Sequence, residues 1–410
     1  MKKLLIVPSL LILSWANCVF AGKDDWGSVL IFTQSPLEVK LGTYSDDMNS
    51  DLLTMVLWND GSMNRLDAVR VPHPYDGTNV TSTSITGTNV LFSLGDICRM
   101  GDDIIVPYIK NFNVEIAVYT MNNWFSMTIP ETMANDFDSA DCAVSQNGVF
   151  VSGHDRDESE IELFKLNPNL SSFSVFGKFG GGGTPTTDIA GPFDGGVRDT
   201  LVMQRDGPFS MSLYQSSNGM IRTAHFDSSV SPPSFTHNDI EQEPAPIGFV
   251  FVKESYGARL PGHTVFGYNA NSRAKAIDIA DSMPLLPTVR DLGAIDNTGT
   301  QFNFQGGTAL SNPNGIGNYS EILTQWNKFY SYREDSQQID IDNDYPLEGV
   351  GGPVAACRRI HNDFISEIYI AGPRVGSAGT DLHVKLLDSP DVIFNDGFES
   401  GNTSAWASCP

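Results

Sequence analysis

The sequence predicts an all-β fold assembled from repeated sheet-forming units. Three observations carry that reading. Apolar residues hardly anywhere keep a 3.6-residue period for three turns. Short runs of β-branched and aromatic residues alternate with polar ones along the whole chain. Turn residues punctuate those runs, with 38 Gly and 23 Pro among 410 residues. In VEIAVYTM, Val114, Ile116 and Val118 share one face and Glu115, Ala117 and Tyr119 the other. In DLHVKLLD, Leu382, Val384 and Leu386 lie together, opposite His383 and Lys385. One stretch, SEILTQWNKFYSY at 320–332, runs against this background with a helical period.

The repeats set the architecture. CRMGDDIIVPYIKNFNVEIAVYTMNNW begins at Cys98 and CAVSQNGVFVSGHDRDESEIELFKLNPN at Cys142. Each has a Cys, a polar turn, a hydrophobic strand (104–106; 149–151), a polar loop and then Glu-Ile-x-[Val/Leu]-[Tyr/Phe] (115–119; 160–164). A third copy begins at Cys357, and weaker copies without the Cys begin at Gly195 and Pro246. Starts fall 44 to about 60 residues apart, the length a four-stranded blade requires. The chain therefore resembles a β-propeller of about six to eight four-stranded blades, with a domain over 22–390. It resembles no particular propeller family: the WD dipeptide, the kelch Gly-Gly doublet and the sialidase Asp box are all missing. A β-sandwich pair or a β-helix are the alternatives.

The two ends carry different signals. Residues 1–21 read as a secretory leader: Lys2 and Lys3 open it, an apolar run follows, and a small-residue cleavage site comes after Ala21. That run is too short for a stable membrane anchor. The opening looks bacterial, so the Asn-x-Ser/Thr sites at Asn79, Asn169, Asn318 and Asn402 read as chance. Loss of Lys2 and Lys3 takes the formal charge from −24 to −26, which repels nucleic acid and anionic lipid. Four cysteines remain, Cys98, Cys142, Cys357 and Cys409, with no metal-binding spacing. In an oxidising compartment disulfides are the default. Of the three connectivities, Cys98–Cys142 with Cys357–Cys409 is favoured, the second bridge stapling the tail to the last repeat. The tail, 391–410, resembles a short segment that ends many unrelated secreted bacterial proteins, on Asp396, Gly397, Phe398, Glu399, Ser400, Gly401 and Trp406. The resemblance implies export and says nothing about catalysis.

Motifs for chemistry are sparse. There is no GxSxG elbow, no HExxH and no P-loop, and each of the seven histidines stands alone, which suits a surface or hydrogen-bonded loop role. Asp340, Asp342 and Asp344 alternate, so in a tight loop they could converge on Ca²⁺, the one cofactor suggested, whereas in a strand they would share one solvent face. GHDRDESEIE offers a second calcium candidate in Asp155, Asp157, Glu158 and Glu160. These features suggest a secreted, monomeric protein at the cell surface, in the periplasm or outside the cell. Its role would be binding a glycan, or another envelope or protein ligand, at the propeller mouth. Whether it is an enzyme stays open. The catalytic alternative is a glycoside hydrolase or polysaccharide lyase, which would need two suitably spaced carboxylates. A sialidase would also need an arginine cluster, for which Arg198, Arg205, Arg222 and Arg259 are the candidates.

Overall fold

The alternating runs become strands, VEIAVYTM within Asn113–Thr120 and DLHVKLLD within Gly379–Asp388. The computed structural model describes residues 25–32, 36–45, 50–72, 79–167, 172–194, 196–204, 207–243, 255–260, 263–270, 273–280, 287–294, 304–311, 319–325, 328–333, 338–342, 355–361, 365–376 and 379–388. Their strands form seven antiparallel sheets in chain order. The first sheet joins Pro36–Thr43, Leu52–Asn59, Asn64–Val71 and Thr81–Thr88. The second starts with Leu91–Leu94 and Cys98–Met100, both paired to Asp103–Lys110, and continues through Asn113–Thr120 to Asn123–Thr128. The third holds Phe137–Ser145, Gly148–Asp155, Glu160–Leu166 and Phe173–Gly180. The fourth holds Thr200–Met203, Phe209–Gln215, Met220–Asp227 and Thr236–Gln242. The fifth and sixth run from Ser255–Leu260 to Pro287–Ala294 and from Phe304–Ser311 to Gln338–Asp342. The seventh takes Ala355–His361, Ile365–Gly376 and Gly379–Asp388 from the end of the chain and Asp25–Phe32 from its beginning.

The first strand of each sheet touches the first strand of the next, and that of the seventh touches that of the first. The sheets therefore ring a common axis, and the protein is a β-propeller, within the range the repeats imply. Two sheets, the first and the sixth, contain none of the five repeat copies read from the sequence. The stretch at 320–332 is not helical: it spans the hairpin Tyr319–Gln325 and Lys328–Arg333, closed by Gln325 opposite Lys328. Its Thr, Tyr and Phe content suits a pleated ladder, and flanking strands on both sides supply the backbone partners a lone helix would not have.

The core lies between sheets rather than inside one. Leu53, Met55, Leu57 and Leu66 of the first sheet meet Ile104, Val106 and Tyr108 of the second. Ile105 and Ile109, on the opposite face of that same strand, meet Phe137, Val149 and Val151 of the third. Period-2 alternation thus feeds two interfaces from one strand, which is why second strands such as Leu52–Asn59 are apolar nearly end to end. The outermost Thr81–Thr88, TSTSITGT, is mostly exposed, and its hydroxyls blunt the sheet edge. Paired left-handed residues close two hairpins of the second sheet, Asn111 with Phe112 and Met121 with Asn122. Gly95 lets the second sheet approach the third, because a Cβ there would lie 2.6 Å from the Ala140 carbonyl oxygen.

Candidate functional site

Each first strand enters the ring from the end that carries the sheet-to-sheet connections and the turns between second and third strands. That end is the mouth, and buried charge gathers beneath it. Glu38 sits on the first sheet's inner strand, while Arg198 and Asp199 lie immediately before that of the fourth. Arg198 grips Glu38 in a bidentate pair, Nη2 to Oε1 at 2.8 Å and Nη1 to Oε2 at 3.0 Å. Nη1 also donates to the Leu94 carbonyl at 3.0 Å, and Glu38 accepts the Leu94 N–H at 3.0 Å. The fourth sheet stands nearly opposite the first in a ring of seven, so this side chain crosses the axis. Arg198 and Glu38 are 3% and 7% exposed. They tie the inner strands of the first and fourth sheets together across the ring.

Other buried polar groups brace the same inner strands. Asp141 accepts the N–H groups of Asp96, Cys142 and Leu201 at 3.0, 2.8 and 2.9 Å, tying the second, third and fourth sheets. Burial, and then the nearby Asp96 carboxylate, push its pKa up. Lys40 reaches Asp96 at 2.8 Å. Asp199 accepts from the Ser139 hydroxyl and, at 2.6 Å, from that of Ser152. A disulfide joins Cys98 to Cys142 across the second and third sheets, with Cα atoms 6.1 Å apart. That distance lies within the reach of a bridge, as the favoured pairing requires.

His154 is not the loop residue its isolation in the sequence suggests. It lies buried within Gly148–Asp155, Nδ1 2.8 Å from Asp138 Oδ1 and Nε2 3.2 Å from the Ile189 carbonyl. Burial alone would lower its pKa, but the Asp138 charge and hydrogen bond outweigh it and raise the value to about 9. At neutral pH both ring nitrogens therefore donate, and the ring has no lone pair with which to act as a base. Gly191 covers the pair: a Cβ there would collide with His154 and lie 2.5 Å from Asp138 Oδ2.

Beside this pair, in connections at the mouth end, are Arg156 and Phe193. Arg156 follows the strand that carries His154. Phe193 belongs to the short turn Pro192–Asp194, and its N–H donates to Asp138 Oδ2 at 3.3 Å. The Arg156 guanidinium lies over the Phe193 ring, 5.4 Å from its centroid. Its ionic contacts are loose, 3.8 Å from Nε to Asp138 Oδ2 and 4.0 Å to Asp194 Oδ1. Among the described residues no group accepts a hydrogen bond from its buried Nε. Phe193 is 38% exposed.

Asp155, Glu160 and Glu162 of the third sheet bring carboxylate oxygens within 4.8 Å of one another, a set that could hold a hard cation such as Ca²⁺. Their charge is met partly by Lys178, 2.5 Å from Glu160 and 3.9 Å from Glu162, and Asn135 donates to Asp155 at 2.5 Å. Burial and the Glu160 charge raise Glu162 to about 7. Two of the predicted residues, Asp155 and Glu160, converge as facing partners across the ladder. Asp157 and Glu158 stay on the exposed turn. Glu162 was missed, although the Glu-Ile-Glu alternation puts it on the same face as Glu160.

The remaining predicted residues are dispersed. Asp340 and Asp342 occupy alternate positions of Gln338–Asp342, opposite Ser331 and Phe329, so the backbone gives both one face of a strand. Asp344, Cys409 and the tail residues Asp396, Gly397, Phe398, Glu399, Ser400, Gly401 and Trp406 lie outside the described residues, as does Arg205. Cys357 is on the inner strand Ala355–His361, and Arg259 is on Ser255–Leu260. Arg222 pairs with Asp239 at 2.6 Å. Arg222 and Arg198 are thus engaged with separate carboxylates, Asp239 and Glu38. Arg156, on the turn that follows Gly148–Asp155, gave no sequence signal beyond its place in an acidic stretch.

Comparison with known proteins supports the fold. No protein-family profile matches the chain, and no curated protein matches it. Among solved structures, BBS1N in complex with ARL6DN is similar at a TM-score of 0.51 and 11% identity, over 90% of this chain and 98% of that one. The Myceliophteria thermophila Cps50 (Swd1) β-propeller domain matches at 0.46 and 8%, covering 86% and 99%. The six-bladed Aleuria aurantia lectin matches at 0.42 and 11%, covering 71% and 93%. At these identities the likeness is one of architecture.

Proposed function

We propose that the protein is a secreted binding propeller that holds a glycan or another envelope component at its mouth without turning it over. The observation that carries this reading is the Arg198–Glu38 pair across the axis. It braces the inner strands of opposite sheets against each other, so the loops at the mouth stand on a rigid base, which suits binding. The polar groups beneath are engaged with one another: His154 has no free nitrogen, and Asp141, Asp199 and Glu38 are all hydrogen-bonded. A hydrolase would want an acid and a base facing solvent. The leader and the inter-sheet disulfide favour an oxidising, extracytoplasmic site of action.

The test is a glycan array run beside a panel of chromogenic glycosides, with and without calcium chelator. Binding without turnover is the expected result. Turnover of any glycoside would replace this function with the hydrolase alternative.

A further inference from the structure

We infer that Arg156 and Phe193 form a subsite for one uncharged sugar ring at the mouth, an assignment that rests on the binding function proposed above. Three features lead there. First, the guanidinium is held in place yet underused. Its Cζ lies 5.4 Å from the Phe193 ring centroid, but its ionic contacts are 3.8 and 4.0 Å, beyond hydrogen-bonding distance. The guanidinium is about one-third exposed, so its outward Nη donors in a rigid fork can meet acceptor oxygens of a ligand. Second, Phe193 is 38% exposed beside those donors, in a turn anchored by its own N–H to Asp138. A pyranose presents an apolar C–H face and a rim of hydroxyls, which suits an aromatic edge beside an arginine fork.

Third, the local charge is already balanced. Asp138 faces His154, Arg156 faces Asp194, and the surrounding chain is strongly acidic, with a formal charge of −24. A uronate or sialate would meet no net positive field and would be repelled at longer range. The hydroxyls of a neutral ring can accept from Arg156 without disturbing that balance.

The test uses the full mature chain, with methyl glycosides of neutral hexoses and N-acetylhexosamines as probes, against glucuronate and N-acetylneuraminate. Affinity is read by calorimetry or saturation-transfer NMR. At least one neutral glycoside should bind, and acidic sugars should bind about tenfold more weakly or not at all. Arg156→Gln and Phe193→Ala should each weaken binding at least about tenfold while leaving the circular dichroism spectrum and melting midpoint near those of the wild type.

A control variant is Trp124→Ala at the other end of the ring. There Trp124 packs on Tyr119 at 5.2 Å and Tyr119 on Tyr44 at 5.0 Å. That variant should leave binding unchanged. A neutral glycoside that binds both mouth variants normally, or that is lost with Trp124→Ala alone, overturns the subsite and leaves glycan binding standing. Preference for an acidic sugar or an acidic peptide also overturns it. An array on which no glycan binds removes the glycan ligand and the subsite together.

Discussion

Arg198 reaches from one side of the ring to the carboxylate of Glu38 on the other, with both N–O contacts at 3.0 Å or less and both residues almost wholly buried. A buried pair of this kind is costly to break from one side only, because the survivor is left charged and desolvated. Arg198→Met or Glu38→Leu alone should cost about 3–5 kcal/mol. The double variant should recover much of that loss. Denaturant titration of all four proteins closes the cycle, and simple additivity of the two single effects would show that the pair does not act as a unit.

His154 gives the stability a pH signature. Its folded pKa, about 9, lies above the ordinary value of 6.5, so its contribution is complete below about 6.5 and is lost as pH rises through about 9. The wild-type melting midpoint should fall between pH 6 and pH 9.5. Asp138→Asn should lower the midpoint at pH 6 and flatten the dependence. Gly191→Ala should also destabilise the protein, by driving a methyl group into the same pair.

Glu162 acts in a lower window. Its folded pKa of about 7 exceeds the ordinary 4.5, so the fold favours the protonated form, and stability is lost as pH rises from about 4.5 through 7. Glu162→Gln should therefore match the wild type near pH 4.5 and surpass it at pH 8. Melting curves at those two values are sufficient, and a variant less stable than the wild type at pH 8 would contradict the shift.

The Cys98–Cys142 bridge closes a loop with a sequence separation of 44. By loop closure alone, replacing both residues with Ala should cost roughly 4 kcal/mol. Mass spectrometry of the unreduced protein bears on the proposed partner bridge, Cys357–Cys409. No thiol should alkylate before reduction, and one labelled cysteine per chain would leave that bridge unmade.

Much of the architecture was legible because it is written in short-range pattern. Alternation at Val114, Ile116 and Val118 records a strand with a buried face, and the spacing of Cys98 and Cys142 records neighbouring sheets at equivalent positions. The proposed binding residues were not legible. Arg156 and Phe193 are 37 residues apart and meet only because the long connection after Phe173–Gly180 folds back over the inner strand of the same sheet. Glu38 and Arg198 are 160 residues apart, and nothing local to either marks the other. His154 was misjudged because solitary spacing says nothing about burial, and the Asp138 that satisfies it belongs to a different strand. The apparent helix at 320–332 shows the converse failure, a local period overruled by ladder partners on both sides.

The seventh sheet takes one strand, Asp25–Phe32, from the start of the chain and lays it against Gly379–Asp388 from the end. The circle is thus fastened at a single clasp made of both extremities. Six sheets can form as synthesis proceeds, but the last must wait until residues more than 340 positions apart have found each other. A cut or deletion in either partner would unlatch the whole ring at that seam, whereas the same lesion in the outer strand of another sheet would fray one sheet only.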